Sequence, residues 1–265
     1  MRLIPIESLD LPELQVYRTL RGNRFDRDNG FVADSPRVVL MLLERGIRPR
    51  SLLATREFYE RNRETIVRFA NDVPLYVGTK EILGQIVGRS IHHHVMMHAY
   101  RPRSAPLERL GNRIVMVTQL NNMENVGAVA RSAAALGMEG YMVPANGPHP
   151  YGRRAVRVST GHVSRLQVHL YDDPLATIRA LQEWGYRVYG AEVTEGATPL
   201  SQLSTIPDKW VVILGNEEKG IDPEVLAACD EIIAIEMESE VKSFNVAIAG
   251  AIVMHWMRVH ARPAR

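Results

Sequence analysis

The sequence is poor in cysteine and in lysine, and it contains no long apolar run. Its one cysteine among 265 residues, Cys229, allows no disulfide within the chain, so we expect a reducing compartment, the cytoplasm. The longest apolar stretch, residues 246–254, has nine residues, far short of the ~20 that span a bilayer. Glu7 precedes any apolar segment, which is unlike a secretory signal. These features predict a protein without a membrane partner.

Charge of both signs is present but unevenly divided along the chain. Hydrophobic residues make up 46% and charged residues 23% of the chain, which excludes a disordered protein. Residues 1–110 carry 18 Lys and Arg against 13 Asp and Glu, whereas residues 111–265 carry 14 against 17. Only 4 of the 32 basic residues are lysine, and arginine is the better bidentate partner for phosphate. A bound polyanion and a general bias toward arginine both account for this distribution.

The chain is long enough for two domains, and a stretch rich in proline and arginine divides it. That stretch, residues 101–106, predicts a linker. Before it, short helices alternate with short strands and include a predicted helix over 57–70. After it, apolar strands alternate with helices, which predicts a parallel sheet covered on both faces. We expect domains at 1–100 and 111–265, joined by a linker at 101–110.

The first candidate site follows a strand predicted over residues 114–118. Asn125 is a candidate N-cap of a helix over 126–136 that is built largely from glycine and alanine, so another backbone can approach it closely. Arg131 lies within this helix. Two interpretations of Arg131 are open, a functional cation and a charge on a solvated helix face.

The second candidate site is the loop Gly-Asn-Glu-Glu-Lys-Gly-Ile, which follows an apolar strand at 211–214. The loop has neither a G-x-G-x-x-G pattern nor a lysine after its last glycine, and the turn at 119–125 also lacks that fingerprint, which disfavours a Rossmann-like nucleotide enzyme. Glu217 and Glu218 would repel a triphosphate. A nucleoside without phosphate fits better, and S-adenosylmethionine is such a ligand. A plain strand-to-helix turn is the alternative.

The third candidate site is Ser-Phe-Asn at the start of an apolar helix predicted over 244–260. Ser243 is a candidate cap of that helix, and Asn245 is an amide in an apolar first turn, where burial would demand a hydrogen-bond partner. A capped core helix without a role in chemistry is the alternative.

In this order, the three motifs resemble the TrmH branch of the SPOUT RNA methyltransferases. The resemblance spans residues 114–260 and includes Val-Ser-Thr-Gly at 158–161. Residues 17–99 resemble, less specifically, the ribosomal-protein-like substrate-binding domain of members that act on ribosomal RNA. Phe-Val-Ala-Asp-Ser at 31–35 stands where many relatives have Ala-Glu-Gly, and Phe244 replaces the more usual leucine.

The resemblance implies an α/β fold in which a small α/β domain precedes a parallel-sheet SPOUT domain with a deep trefoil knot. It also implies an active site completed across a homodimer, with S-adenosylmethionine as cofactor and RNA as partner. The expected reaction is methyl transfer to a ribose 2′-hydroxyl, with ribosomal RNA favoured by the additional N-terminal domain. A transfer RNA 2′-O-methyltransferase and an inactive RNA-binding protein of the same fold are the alternatives.

Carried over motif by motif, the resemblance implies two sets of site residues. The implied cofactor-binding residues are Leu214, Gly215, Ile235, Met237, Phe244 and Asn245. The implied catalytic residues are Asn125, Arg131, Glu217, Ser243 and Asn245. Arg131 is the family's proposed activator of the hydroxyl, but a guanidinium with a pKa above ~12 is a poor base at neutral pH. Phosphate positioning, lowering of the hydroxyl pKa and proton relay are therefore all open.

Histidines and arginines of the first part complete the candidates. His94 and His98 stand four residues apart, but on a predicted strand and without a nearby cysteine or paired carboxylates, so we expect no metal. We expect RNA affinity to come from arginines such as Arg18, Arg21 and Arg24, because phosphate contacts dominate such binding.

Overall fold

The computed structural model describes residues 2–18, 29–87, 94–216, 218–238, 240 and 243–261. The chain divides into two compact units. Unit 1 comprises Met1–Arg103 with Tyr151–Ser164, and unit 2 comprises Ser104–Pro150 with Arg165–Arg265. The first boundary falls within the predicted linker. The chain then returns to unit 1 at Tyr151–Ser164, which the sequence did not predict.

Unit 1 is an α/β unit with a mixed sheet. Its strands are β1 (Arg2–Pro5), β2 (Gly30–Asp34), β3 (Pro49–Thr55), β4 (Pro74–Gly78) and β5 (Val95–Tyr100). Its helices are α1 (Gln15–Arg18), α2 (Pro36–Glu44), α3 (Arg56–Arg61), α4 (Arg63–Ala70), α5 (Lys80–Val87) and α7 (Arg153–Val158). The strand order is β1-β4-β3-β5-β2, and β5 runs antiparallel to both of its neighbours. Strands β1 and β2 were not predicted.

The helix predicted over residues 57–70 is wrong, because the structure has two helices there. The break is at Asn62, whose φ of −116° departs from helical values. Its side-chain Nδ2 donates to the Phe58 carbonyl at 2.8 Å, a local bond of the kind by which asparagine competes with helix hydrogen bonds. Helix α2, in contrast, has regular boundaries, with proline at its start and its end shortly before Gly46, which has a φ of +76°.

The segment Tyr151–Ser164 is anchored in unit 1 by a ring contact and an ion pair. The Tyr151 ring meets the Phe31 ring edge-on, with centroids 5.4 Å apart. Arg153 forms an ion pair with Asp34, whose side chain is only 3% exposed. Because Phe31 and Asp34 both belong to β2, the returning segment covers this edge strand, and an edge strand left bare would be a site for unwanted pairing.

Unit 2 is built on a fully parallel sheet. Its strands are β6 (Arg113–Val117), β7 (Gly140–Pro144), β8 (Gln167–Tyr171), β9 (Arg187–Ala191), β10 (Thr198–Pro199), β11 (Trp210–Leu214) and β12 (Glu231–Ala234). Its helices are α6 (Met123–Ala135), α8 (Pro174–Glu183), α9 (Pro223–Ala228) and α10 (Val246–His260). The strand order is β10-β12-β9-β11-β6-β7-β8. The predicted α/β class and the parallel sheet are confirmed, and the central strand β11 is buried throughout.

Both predicted caps in unit 2 are wrong. Helix α6 begins at Met123 rather than 126, and its cap is Asn122, whose side chain accepts from the Glu124 N–H at 2.8 Å. Helix α10 begins at Val246, and its cap is Asn245, whose side chain accepts from the Ala247 N–H at 3.0 Å, rather than Ser243. In each case an asparagine occupies the cap, the residue type that shares first rank at this position.

The described helices include none that combines the length and the apolar character needed to cross a bilayer.

Candidate functional site

A cavity of about 300 Å³ lies in unit 2 beyond the carboxyl ends of β9, β11 and β12. Ligands of parallel α/β sheets bind at this edge. Three stretches of chain form its walls, the residues after β9, the loop after β11, and the segment from β12 to α10. The lining residues that were predicted as site residues are Leu214, Gly215, Ile235, Met237, Ser243 and Phe244.

The loop after β11 folds back on itself because Gly215 has no side chain. A Cβ at Gly215 would lie 2.6 Å from the Gly220 carbonyl carbon and 2.8 Å from the Ile221 nitrogen. Asn216 and Gly220 exchange backbone hydrogen bonds of 2.9 and 3.0 Å, which close the loop. The Asn216 side chain accepts from the N–H groups of Glu218 and Lys219 and donates to the Gln119 carbonyl. The described residues of this loop are thus cross-linked by backbone hydrogen bonds and by one side-chain amide.

Glu192, just after β9, fastens this loop from the opposite wall of the cavity. Its Oε2 accepts from the Ile221 N–H at 2.9 Å, and its Oε1 accepts from the Val193 N–H at 3.1 Å. Gly220, with a φ of +72°, leaves room for this carboxylate, since a Cβ there would lie in contact with Glu192 Oε2. The sequence motifs do not indicate Glu192. Asn216 belongs to the second motif but was not predicted as a site residue, although an asparagine after a strand-ending glycine is a signal for a side-chain-stabilised turn.

The start of α10 brings the first and third motifs together. Asn245 Nδ2 donates to Asn125 Oδ1 at 3.2 Å, across 120 residues of sequence. Helix α10 also packs on α6 and approaches β11 closely at Gly250, where a Cβ would lie 2.5 Å from Leu214 Cδ1. The expectation that Asn245 is buried is wrong, because the residue is exposed while it caps the helix.

Two buried tyrosines fix the elements around the site, and sequence reasoning missed both. The Tyr141 hydroxyl donates to the Val126 carbonyl in the first turns of α6 at 3.0 Å, and the Tyr171 hydroxyl donates to the Val117 carbonyl at the end of β6 at 2.8 Å. Burial raises the pKa of both phenols above the usual value near 10. Both hydroxyls therefore stay protonated donors at physiological pH.

The remaining predicted residues lie apart from the cavity lining. Arg131 is exposed on α6 and is not among the lining residues. Asn125 and Asn245 lie beside the cavity through their mutual hydrogen bond. Glu217 lies outside the described residues, as do Arg21 and Arg24 of unit 1. Arg18 is described and pairs with Asp10 at 3.4 Å.

The cavity combines apolar walls with a small number of polar groups. Its apolar side chains are Val193, Leu214, Ile233, Ile235, Met237, Phe244 and Val246. Among the described residues, the charged side chains that line it are Glu192, Glu218 and Lys219. Two carboxylates against one ammonium suit a ligand with positive charge and are unfavourable for a polyphosphate. Within the described ranges, no group of three or more His, Cys, Asp or Glu side chains is placed to hold a metal ion.

The residues that form the end-of-strand loop and the capped helix lie in a region that matches the sequence model of a known family. The sequence model of the SpoU rRNA methylase family matches residues 112–255, more than half of the chain. The chain belongs to the SpoU rRNA methylase family. The match covers the whole candidate site of unit 2, so the resemblance to TrmH-type enzymes is confirmed.

Solved structures of RNA methyltransferases resemble nearly the whole chain. An rRNA methyltransferase from Sinorhizobium meliloti, crystallised with AdoMet, matches with a TM-score of 0.85 and 21% identity over 97% of this chain and 98% of that chain. An RNA 2′-O ribose methyltransferase matches with a TM-score of 0.76 and 19% identity over 97% and 98%. At these identities the likeness shows that the fold is shared over both units.

Sequence relatives agree with the family assignment over a shorter range. A Mycobacterium tuberculosis protein named as an uncharacterized tRNA/rRNA methyltransferase is 30% identical over 151 residues, which is 57% of this chain and 46% of that protein. The matched region thus spans about half of the length of this relative.

Proposed function

We propose that this protein transfers a methyl group from S-adenosylmethionine to a ribose 2′-hydroxyl of ribosomal RNA. One observation carries the proposal: in a single cavity, the structure gathers residues from the second and third sequence motifs, and a hydrogen bond between Asn245 and Asn125 ties the first motif to its edge. Membership of the SpoU family supports methyl transfer to RNA. The AdoMet-bound rRNA methyltransferase of the same fold supports the cofactor and the substrate class.

The residues present suit S-adenosylmethionine on physical grounds. A cavity of about 300 Å³ lies at the lower end of the volumes of small-molecule sites, which run from roughly 300 to 1,000 Å³. Its apolar walls suit the adenine ring and the methylene groups of the methionyl chain. Glu192 and Glu218 suit the positive charges of the donor. We propose Leu214, Gly215, Ile235, Met237, Phe244 and Asn245 as the cofactor-binding residues.

S-adenosylmethionine supplies an electrophilic methyl group on a sulfonium, and the protein's task is to align a hydroxyl with it and to remove the hydroxyl proton. Asn245 and Asn125 form a hydrogen-bonded polar pair at the edge of the cavity, suited to orient the ribose. Ser243 lines the cavity beside them. We assign to the exposed Arg131 the binding of a phosphate next to the reacting ribose, because its planar group matches phosphate oxygens. Glu217 belongs to the same proposed centre.

We further propose that two copies of the chain complete the active site. Arg131 follows Asn125 by six residues on α6, so the two lie about 9 Å apart along the helix axis and point about 120° apart around it. One copy therefore does not direct both side chains to one point. Helix α10 carries exposed apolar residues, with Ile248 53% and Val259 61% exposed. A second copy packed on this helix would cover them and bring its own Arg131 to the site.

The family's trefoil knot and RNA-binding domain are part of the same proposal. The chain runs from β12, next to the edge of the sheet, back to α10, which packs on α6 and against the central β11. Such a return is what a knotted C-terminal segment requires. For unit 1 we propose the role of RNA binding, which the excess of basic residues in residues 1–110 supports.

The proposed reaction is tested by mapping 2′-O-methyl groups by mass spectrometry. Ribosomal and transfer RNA are compared from cells with and without the gene, and the purified protein is incubated with the unmodified RNA and S-adenosylmethionine. We expect one ribosomal nucleotide to lose its methyl group in the deletion strain and to regain it in the incubation. A lost methyl on a transfer RNA would correct the substrate, and an unchanged pattern in both RNAs would contradict the proposed reaction.

A further inference from the structure

An arginine–tyrosine cluster lies at one end of the unit 1 sheet, outside any of the sequence motifs. It consists of Arg48 and Arg50 around the ring of Tyr100, the last residue of β5. The Arg50 guanidinium carbon lies 4.1 Å from the ring centroid, and that of Arg48 lies 5.2 Å from it. The Tyr100 side chain is nevertheless 41% exposed. Cation–π contacts of this kind stabilise a surface ring only modestly, and they leave the Tyr100 ring partly open to solvent.

The backbone of the sheet is shaped to produce this cluster. The pairing of β3 with β5 shifts register between Pro49 and Ser51, so Arg50 lies in a β-bulge. Bulges redirect side chains and occur next to functional sites. Gly30 on β2 pairs with Tyr100, and its missing side chain leaves room for His98, since a Cβ there would lie 2.6 Å from His98 Nε2. The bulge is thus the backbone feature that directs Arg50 toward the ring.

The charge around the cluster is positive. Segments 44–50 and 95–103 contain the five arginines Arg45, Arg48, Arg50, Arg101 and Arg103 against one acid, Glu44. The two segments meet, because the Tyr100 N–H donates to the Arg48 carbonyl at 3.0 Å. This cluster lies where β3 begins and β5 ends.

We propose that the arginine–tyrosine cluster binds unpaired nucleotides of the substrate RNA. The inference rests on the proposed function, because it takes RNA as the substrate. Unpaired bases are recognised by stacking on aromatic rings and on arginine planes, whereas duplex RNA is bound mainly through its shape and phosphates. Tyr100, Arg48 and Arg50 offer a ring, planar cations and charge at one place, and this combination favours an unstacked base with its phosphate. An acidic protein surface would need the charge but not the ring.

The test uses the full-length protein and two fluorescent RNA probes, a 12-nucleotide single strand and the corresponding 12-base-pair duplex. We expect tighter binding of the single strand. Tyr100→Leu and Arg50→Ala should each weaken it roughly fivefold or more, the scale of one lost stacking contact, with little change for the duplex. Arg48→Ala combined with Arg50→Ala should also flatten the salt dependence of binding. Arg68→Ala is the matched control, since Arg68 lies 5.2 Å from the Phe69 centroid on α4, in a similar pair away from the cluster.

The outcomes separate the cluster proposal from the proposed function. If the wild type binds the single strand and methylates ribosomal RNA while the cluster variants bind it within twofold of wild type, the cluster proposal is overturned and the reaction stands. Equal losses of affinity for both probes would reduce the cluster to a nonspecific anion site and overturn the stacking role. The same holds if polyglutamate displaces the labelled single strand as effectively as unlabelled single strand does. A wild type that neither binds RNA nor transfers a methyl group would overturn both proposals. Thermal unfolding and S-adenosylmethionine titration of each variant verify that the fold is intact.

Discussion

At the scale of single residues, the exposed position of Arg131 on α6 carries the sharpest prediction about catalysis. Arg131→Ala should lower the single-turnover methylation rate by about 10²-fold or more, the scale of lost positioning or proton-transfer help. Affinity for S-adenosylmethionine should stay within a few-fold, because Arg131 does not line the cavity. Arg131→Lys should restore little, since an ammonium lacks the planar fork. An undiminished rate in Arg131→Ala would make this residue a solvated charge.

Substitution of Gly215 tests the packing of the loop after β11 as well as the binding of the cofactor. The added Cβ of Gly215→Ala would press on the backbone of Gly220 and Ile221, an overpacking cost of about 1–3 kcal/mol. We therefore expect a lower melting temperature together with weaker cofactor binding, read by calorimetry. Gly147→Ala is the control, because a Cβ there would lie no closer than 3.4 Å to its neighbours. Wild-type stability with lost cofactor binding would show a clash with the ligand alone.

Substitution of Glu192 tests one wall of the cavity without adding an atom to the packed loop, unlike Gly215→Ala. Glu192→Ala leaves the Ile221 N–H without its acceptor, so we expect about tenfold weaker binding of S-adenosylmethionine and a modest loss of stability. Glu218→Ala is the comparison, since that carboxylate lines the same cavity from an exposed position. Isothermal titration of both variants separates the effect of the hydrogen bond from Ile221 N–H to Glu192 from the effect of general negative charge. Equal losses in the two would assign the effect to charge.

At the scale of elements, the two asparagines at the start of α6 have separate tasks. Asn122 caps the helix through the Glu124 N–H, whereas Asn125 bonds to Asn245. Asn122→Ala should cost about 1 kcal/mol of stability, measured by urea unfolding, and should leave the methylation rate of the folded protein nearly unchanged. Asn125→Ala should lower the methylation rate of the folded protein and leave its stability nearly unchanged. If both variants behave alike, the proposed division between cap and site is wrong.

The sequence predicts elements better than it predicts where they begin. Strands β6 and β11 were predicted because apolar runs between turn residues are strong signals. The caps of α6 and α10 were misassigned because several polar residues precede each helix and only the three-dimensional hydrogen bonds select one of them. Glu192 was missed for a related reason, since its role depends on a loop 29 residues later. The lining residues near α10, in contrast, were predicted from the family motif.

At the scale of the whole molecule, the integrity of unit 1 depends on residues far along the chain. Arg153→Ala would remove one ion-pair partner of the buried Asp34, so we expect a loss of about 1–3 kcal/mol of stability. Faster hydrogen exchange along β2 is the local measurement. Arg157→Ala, an exposed change on the same helix, is the control. Unchanged exchange in Arg153→Ala would show that the ion pair does not hold this segment.

The same connection limits what a truncated protein can show. A fragment of residues 108–265 would retain Tyr151, Val156 and Val163, which are buried in the intact chain, but would lack the rest of unit 1. Poor RNA methylation by such a fragment would mix lost RNA contacts with exposed apolar surface. Full-length variants such as Tyr100→Leu are therefore the better measure of what unit 1 contributes to RNA binding.

The return of the chain at Tyr151–Ser164 also sets an order of events during synthesis. Unit 1 is interrupted by Ser104–Pro150, so the ribosome must add residues 104–164 after the first stretch is made. At about 5–20 residues per second, this takes roughly 3–12 s. During that interval β2 emerges without its later cover, as a nascent edge strand open to chaperones or to misplaced pairing. A protein proposed to modify ribosomal RNA would thus itself depend, for several seconds, on the ribosome that is making it.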